Sequence, residues 1–337
     1  MNSRPSIKDI AAAAGVSPAT VSRALTGTGL VAEPTLTRIR EAADRLGYRP
    51  NVSARNLRTR RSMAILMVVR DVGNPFYLEI FKGVEAAARE AGYSVLMGNT
   101  ENDPDREAEY FDMLGDGHAD GMILMTGKLP TRKAREVSPD RPVVVALEMI
   151  EASSFPHVLI DNEAAAREAV EYLIKLGHTR IAHVTGPLPE GMSLRRLQGY
   201  RQAMEKAGLA VPEGYEVRGD FGLASGQEAG RALMNMASPP TAIFTASDSM
   251  AFGVIGELRS LGIPVPEQVS VMGFDDLFLS EAFQPPLSTV CQPRAEIGRE
   301  AMTILLRKMT GGPVPAEPVI MPTTLQIRGT TAPPAGK

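Results

Sequence analysis

From Ser62 onward, short apolar runs alternate with segments of helical period, and this alternation restricts the fold more than any other feature. The runs fall at 64–69, 94–97, 121–125, 143–147, 157–160, 181–185, 242–245 and 270–274. Between them, stretches such as 81–90, 164–176 and 197–207 carry apolar residues three and four positions apart. An unbroken apolar run is what a strand needs when both of its faces are covered. The pattern therefore predicts parallel sheets with helices on both sides. Roughly 275 residues is large for one sheet, so two α/β lobes are expected.

The first 61 residues follow a different rule. Ile7, Ile10, Ala11 and Ala14 recur at helical spacing until Gly15. Ser17 then fits an N-cap, with Pro18 at the first helical position, where its missing N–H costs nothing. Val21, Ala24 and Leu25 form the apolar stripe of this second helix, and Gly27 and Gly29 end it. A third helix is expected from Pro34 to Leu46, with Leu36, Ile39, Ala42, Ala43 and Leu46 facing inward and Gly47 as its stop. Residues 51–57 are a fourth, short helical candidate.

Two short helices joined at Ala14-Gly15-Val16-Ser17 match a helix-turn-helix, whose second helix lies in the major groove of DNA. Thr20, Ser22 and Arg23 fall outside its apolar stripe. The plain alternative is a small helical bundle, and charge separates the two. The whole chain has a net charge of −3, which leans away from nucleic acid. That figure averages two unlike parts. Residues 1–61 hold eleven Lys/Arg against four Asp/Glu, or +7, and the remainder carries −10. A basic module on an acidic body favours the DNA reading.

Other chemistries find little support. The lone cysteine, Cys291, excludes an intrachain disulfide and fits a reducing cytoplasm. No run is long enough to cross a bilayer, and the N-terminus lacks the apolar core of a signal peptide, so no membrane partner is expected. His118, His157, His178 and His183 lack metal-ligand spacing, so no metal is expected. Gly27-Thr28-Gly29-Leu30-Val31-Ala32 loosely fits a dinucleotide loop but follows a helix rather than a strand. Neither a nucleophile elbow nor a P-loop is present, and no cofactor is expected. The seventeen methionines are scattered through apolar runs as core filler.

Several motifs carry a resemblance. Ile7-Lys8-Asp9-Ile10-Ala11, Gly15-Val16-Ser17, Thr20-Val21-Ser22-Arg23 and Leu46-Gly47-Tyr48-Arg49-Pro50-Asn51 resemble the start of LacI/GalR-family bacterial transcription regulators. Asn74-Pro75-Phe76, Asp120-Gly121, Asp161-Asn162, Leu176-Gly177-His178, Arg196-Leu197-Gln198-Gly199-Tyr200, Gly219-Asp220-Phe221, Ser247-Asp248-Ser249-Met250-Ala251 and Gly273-Phe274-Asp275-Asp276 continue it in the family's order. The resemblance implies an all-α helix-turn-helix headpiece (1–49), a hinge helix or linker (50–61), and a two-lobed, periplasmic-binding-protein-like α/β domain (62–331) that binds an effector and dimerises. Residues 332–337 are expected to be a loose tail.

The resemblance also assigns roles. DNA contact falls to Ser17, Pro18, Ala19, Thr20, Ser22 and Arg23 on the headpiece, and to Asn51, Arg55, Leu57 and Arg58 in the hinge, with Leu57 as a wedge in the minor groove. Ala19 can touch a thymine methyl but cannot make a bidentate hydrogen bond, which shifts weight to Thr20, Ser22 and Arg23. Effector contact falls to Asp161, Arg196, Ser247 and Asp275 as polar groups and to Phe76, Tyr77 and Phe221 as aromatic walls. Asn74-Pro75-Phe76-Tyr77 and the stretch from Gln292 to Met302 are similar to cytidine-repressor-type members, implying a nucleoside; sugars are common elsewhere in the family.

The expectation is a cytoplasmic homodimeric repressor on a near-palindromic double-stranded operator, controlled by a nucleoside or sugar. A small-molecule-binding protein with a vestigial DNA module, or an α/β enzyme, are the competing classes.

Overall fold

The computed structural model describes residues 5–26, 29–48, 61–127, 129, 140–150 and 153–335. The chain divides after Arg61 into two compact units, Met1–Arg61 and Ser62–Lys337. The hinge positions Asn51, Arg55, Leu57 and Arg58 lie outside the described residues.

In the first unit, α1 (Ile7–Ala14) begins with a capping box. The Ser6 hydroxyl accepts from the Asp9 amide, and the Asp9 carboxylate accepts from the Ser6 amide at 2.7 Å. Gly15 ends the helix with φ 64°, a left-handed conformation that glycine adopts without steric cost. Helix α2 (Pro18–Thr26) starts at Ser17, whose Oγ accepts from the Thr20 amide at 3.2 Å. Helix α3 (Glu33–Leu46) ends at Gly47, again left-handed. Ile10, Val21 and Ile39, one from each helix, are fully buried together. Leu46, expected inward, is exposed. The turn at Gly47 sends the Tyr48 amide back to the Ala43 carbonyl (2.9 Å), and Tyr48 packs on the core instead.

The second unit holds two six-stranded sheets. The first sheet comprises β1 (Ala64–Val69), β2 (Ser94–Asn99), β3 (Gly121–Leu124), β4 (Val143–Ala146), β5 (His157–Ile160) and β11 (Val319–Met321). Its order is β11-β5-β4-β3-β1-β2, all parallel. The second comprises β6 (Ile181–Thr185), β7 (Glu216–Arg218), β8 (Ala242–Thr245), β9 (Ser270–Asp275), β10 (Ser288–Cys291) and β12 (Thr324–Gln326), in the order β12-β10-β9-β8-β6-β7. The eight runs expected from hydropathy are β1 to β6, β8 and β9. The short strands β7, β10, β11 and β12 escape that reading because their residues are half-exposed or polar. Strand β12 also departs from the expected all-parallel arrangement, running antiparallel to β10.

Helices cover both sheets: α4 (Phe76–Glu90) and α5 (Pro104–Gly115) in the first lobe; α6 (Asn162–Lys175), α7 (Gly191–Lys206), α8 (Leu223–Met234), α9 (Asp248–Ser260) and the short α10 (Leu279–Ala282) in the second. Helix α11 (Arg294–Met309) follows β10 of the second sheet but packs against α4, β3 and β4 of the first. The lobes are thus not consecutive in sequence. The chain passes between them after Ile160, after Cys291 and after Met321. Glycine lets α11 approach α4: a Cβ on Gly298 would lie 2.1 Å from the Ile80 carbonyl oxygen, and one on Gly83 2.0 Å from that of Ala295.

The tail departs from expectation at its first residue, Ala332. The Ala332 carbonyl accepts from the His178 ring at 2.9 Å and from Ser270 Oγ at 3.0 Å, and the Ala332 amide donates back to Ser270 Oγ. Thr330 is fully buried. These bonds fasten the chain through Ala332, beyond Thr331, where release was expected.

Candidate functional site

Parallel strands of an α/β sheet deliver their following loops to one edge, where ligand sites form. Here such loops from both lobes enclose a cleft of about 520 Å³. Arg70 and Asp71 follow β1, Pro187 follows β6, Asp220 follows β7, and Asp275 ends β9. Of the effector residues assigned from the sequence, Phe76, Tyr77, Arg196, Phe221 and Asp275 line this cleft. Asp161 and Ser247 do not. Asp161 is the exposed N-cap of α6, accepting from the Ala164 amide at 2.9 Å. Ser247 is the buried N-cap of α9, accepting from the Met250 amide and donating to the Phe221 carbonyl at 3.2 Å. It therefore acts on the cleft only by holding Phe221, a non-glycine residue at φ 70°.

Arg196 is the structural centre of the second-lobe wall. Its Nε donates to Asn162 Oδ1 (2.8 Å), its guanidinium bonds the Ala246 carbonyl, and it lies 3.7 Å over the Phe274 ring. Burial pulls it down to about 10, so it stays charged at neutral pH. Asp275 Oδ1 lies 3.9 Å from Arg196 and accepts from Gln292 Nε2 at 2.7 Å. Burial pushes the Asp275 carboxyl up to about 7, against the pull of Arg196 and with a push from Asp248. Asp248 itself is buried and receives the Leu277 amide, Ser280 Oγ and Thr289 Oγ1, which fixes the loop after β9.

Arg70, Glu190, Asp220 and Met192 also line the cleft and were not assigned from the sequence. Arg70 makes ion pairs with Glu148 of the first lobe and Glu190, the residue before α7 in the second, bridging the lobes. Arg70 and Asp71 stand directly after an apolar run, which marks a strand's carboxyl end and was a usable signal. Asp220 lies inside the Gly219-Asp220-Phe221 motif. Glu190 had no sequence signal. The charged lining comprises two cations, Arg70 and Arg196, against four acids, Asp71, Glu190, Asp220 and Asp275.

In the headpiece, Ser17 before α2 and Pro18, Ala19 and Arg23 on it are exposed, while Thr20 and Ser22 are half-buried. Ser17 Oγ meets Thr20 Oγ1 at 2.9 Å, and Arg23 reaches Thr20 Oγ1 at 3.5 Å. This chain of bonds holds polar groups on the helix's outer face. Among the described residues, no helix is long and apolar enough to cross a membrane, and no cluster of three acidic, His or Cys side chains could hold a metal ion.

Known proteins share both units. Residues 6–51 match the model for bacterial regulatory proteins of the lacI family, and residues 170–331 that for periplasmic binding protein-like domains. The HTH-type transcriptional repressor CytR of Escherichia coli (strain K12) is 40% identical over 326 residues, 96% of each chain. The ribose operon repressor of the same strain is 36% identical over 324 residues, covering 95% of this chain and 96% of that one. Among solved structures, the lac repressor dimer bound to operator and the anti-inducer ONPF aligns over 98% of this chain and 100% of its own (TM-score 0.86, 25% identity). A complex of the transcriptional regulator CelR with cellobiose aligns over 97% and 100% (TM-score 0.70, 31% identity). The chain belongs to the LacI family of bacterial transcription regulators.

Proposed function

We propose that the protein is a cytoplasmic, homodimeric repressor that binds a near-palindromic operator and is released from it, or retained on it, by a neutral nucleoside held between the lobes. It is not an enzyme on this reading. The observation that carries it is the pairing of a helix-turn-helix unit, its polar residues on an outer face, with a two-lobed cleft walled by aromatic rings and an arginine–aspartate pair. Two copies suit two half-sites. Exposed Leu96 and Met97 on the edge strand β2 are an apolar margin of the kind that a second copy covers. The ligand acts through its different affinities for open and closed lobes. Asn51, Arg55, Leu57 and Arg58 are proposed to reach the minor groove.

The cleft's charge limits the ligand. Both arginines are already engaged, Arg70 with two carboxylates and Arg196 with Asn162, Ala246 and Asp275. A phosphate would meet Asp71, Glu190 and Asp220, with Asp275 as a fourth acid where it is ionised, and displace those pairs. An uncharged ligand instead donates hydroxyls to carboxylates while its ring packs on Phe76 and Phe221. A sugar is the second reading, favoured by the 36% identity to a ribose operon repressor.

Calorimetry with cytidine, ribose and cytidine 5′-monophosphate tests this. Cytidine is expected to bind, and the monophosphate at least about a hundredfold more weakly, as like-charge contact costs several kcal/mol. Tighter binding of the monophosphate would contradict the charge argument; binding of ribose alone would replace the nucleoside by the sugar. Selection from a random duplex pool should return two related half-sites, with affinity falling steeply as salt rises.

A further inference from the structure

The Asp120-Gly121 motif has no part in either site described above. Asp120 is half-buried and precedes β3, at the opposite edge of the first sheet from the cleft. Its carboxylate collects three donors from two consecutive residues. Oδ1 accepts from the Ser62 amide (2.7 Å) and the Ser62 hydroxyl (2.9 Å), and Oδ2 from the Met63 amide (3.0 Å). The Asp120 amide donates to the Ala64 carbonyl at 2.8 Å. Met63 sits at φ 55°, a left-handed conformation that side-chain-bearing residues seldom adopt without support. Ser62 and Met63 are the first residues of the body after the linker.

We infer that Asp120 is a positioning residue that fixes the point where the linker leaves the body, so that lobe movement reaches the DNA-binding unit without slack. The inference rests on the repressor reading for what the linker transmits. Strands β1 and β3 pair from Ile65↔Gly121 to Val68↔Leu124. At one end they are tied by Asp120 to Ser62 and Met63. At the other, Arg70, just past β1, donates to the carbonyl of Thr126, just past β3, at 3.2 Å. Arg70 is also the residue that bridges to Glu190 of the other lobe. Two paired strands, fastened at both ends, therefore run from the lobe-bridging arginine to the first residues of the body. Gly121 brings β3 against α11: a Cβ there would lie 3.1 Å from Leu305 Cδ1, so the pair is seated on the helix that returns from the second lobe. A packed, hydrogen-bonded element of this kind can carry coupling between sites, and Asp120 holds its end nearest the linker.

The test uses the full-length chain, Asp120→Ala and Ser62→Ala, and the duplex that the wild-type protein selects from a random pool. In Asp120→Ala, amide exchange across 62–64 should speed up, and operator affinity should fall roughly three- to tenfold. The slope of log affinity against log salt should not change, because the phosphate contacts belong to the other unit. Cytidine affinity should stay at the wild-type value, while the factor by which cytidine shifts operator affinity shrinks. Ser62→Ala, which removes one of the three bonds, should fall between, and it carries the test if Asp120→Ala fails to fold. Faster exchange with wild-type operator affinity would reduce Asp120 to a strand-end cap and overturn the inference. So would a matching loss of cytidine affinity, which would mean general damage to the first lobe. If cytidine leaves even the wild-type operator complex unchanged, the ligand reading fails, and the exchange and operator-affinity measurements still decide the role of Asp120.

Discussion

Asp275→Asn should lower cytidine affinity on the order of a hundredfold, the usual scale for neutralising one member of a buried charged pair, and leave the ligand-free protein's operator affinity intact. The residue lines the cleft, stands 3.9 Å from Arg196 and is held by Gln292. Asparagine keeps the shape and the bond to Gln292 but offers a ligand hydroxyl a weaker acceptor. The pH profile gives a second signature. The wild-type carboxyl titrates at about 7 because burial raises it. A ligand hydroxyl donating to the carboxylate favours the ionised form, so wild-type affinity should rise between pH 6 and 8 and that of Asp275→Asn should not. Stability moves the other way. Between the ordinary aspartate range and about pH 7 the native state holds a proton that the unfolded chain has released. The stability tied to that proton is present at low pH and is lost as pH rises through about 7. Asp275→Asn should remove this dependence from the thermal unfolding curve. Normal cytidine affinity in the variant would show that the ligand does not use this wall of the cleft.

Arg23→Ala should cost about 1–3 kcal/mol of operator binding, or roughly five- to a hundred-and-fifty-fold, with relaxed discrimination at one position of each half-site if the contact is to a base edge. Arg23 is exposed on α2, and its neighbours toward the N-terminus, Pro18 and Ala19, have no side-chain donor to share the task. Equal weakening on all duplexes, with a shallower salt slope, would assign Arg23 to a phosphate instead. Unchanged affinity would remove it from the interface. Cytidine binding, which depends on the other unit, should not respond.

The sequence disclosed the long-range plan well and the closing details poorly. Buried parallel strands announce themselves as unbroken apolar runs, and β1, β5, β6 and β8 lie where hydropathy puts them. The edge strands β7, β11 and β12 bury too little to leave such a mark. Nothing local in residues 294–309 reveals that α11 packs on the first lobe after the chain has built the second; only the glycines at 83 and 298 hint at a close approach. The cleft shows the same division. Arg196, Asp275, Phe76, Tyr77 and Phe221 came from motif resemblance and share one cavity. Asp161 and Ser247 came from the same source, yet each spends its side chain on capping a helix. A cap and a ligand contact place the same residue types after a strand, so spacing does not separate them. Arg70 and Glu190 meet only because two lobes face each other, a relation between residues 120 positions apart.

Ligand in the cleft and operator on the headpiece are proposed to bias one shared equilibrium. Its direct measurement is cytidine affinity by calorimetry, with and without saturating selected duplex, beside operator affinity with and without saturating cytidine. Linkage requires the two ratios to be equal. A common factor of roughly five to a hundred and fifty is expected, in either direction. Cytidine binding with the same affinity to free and operator-bound protein would contradict it.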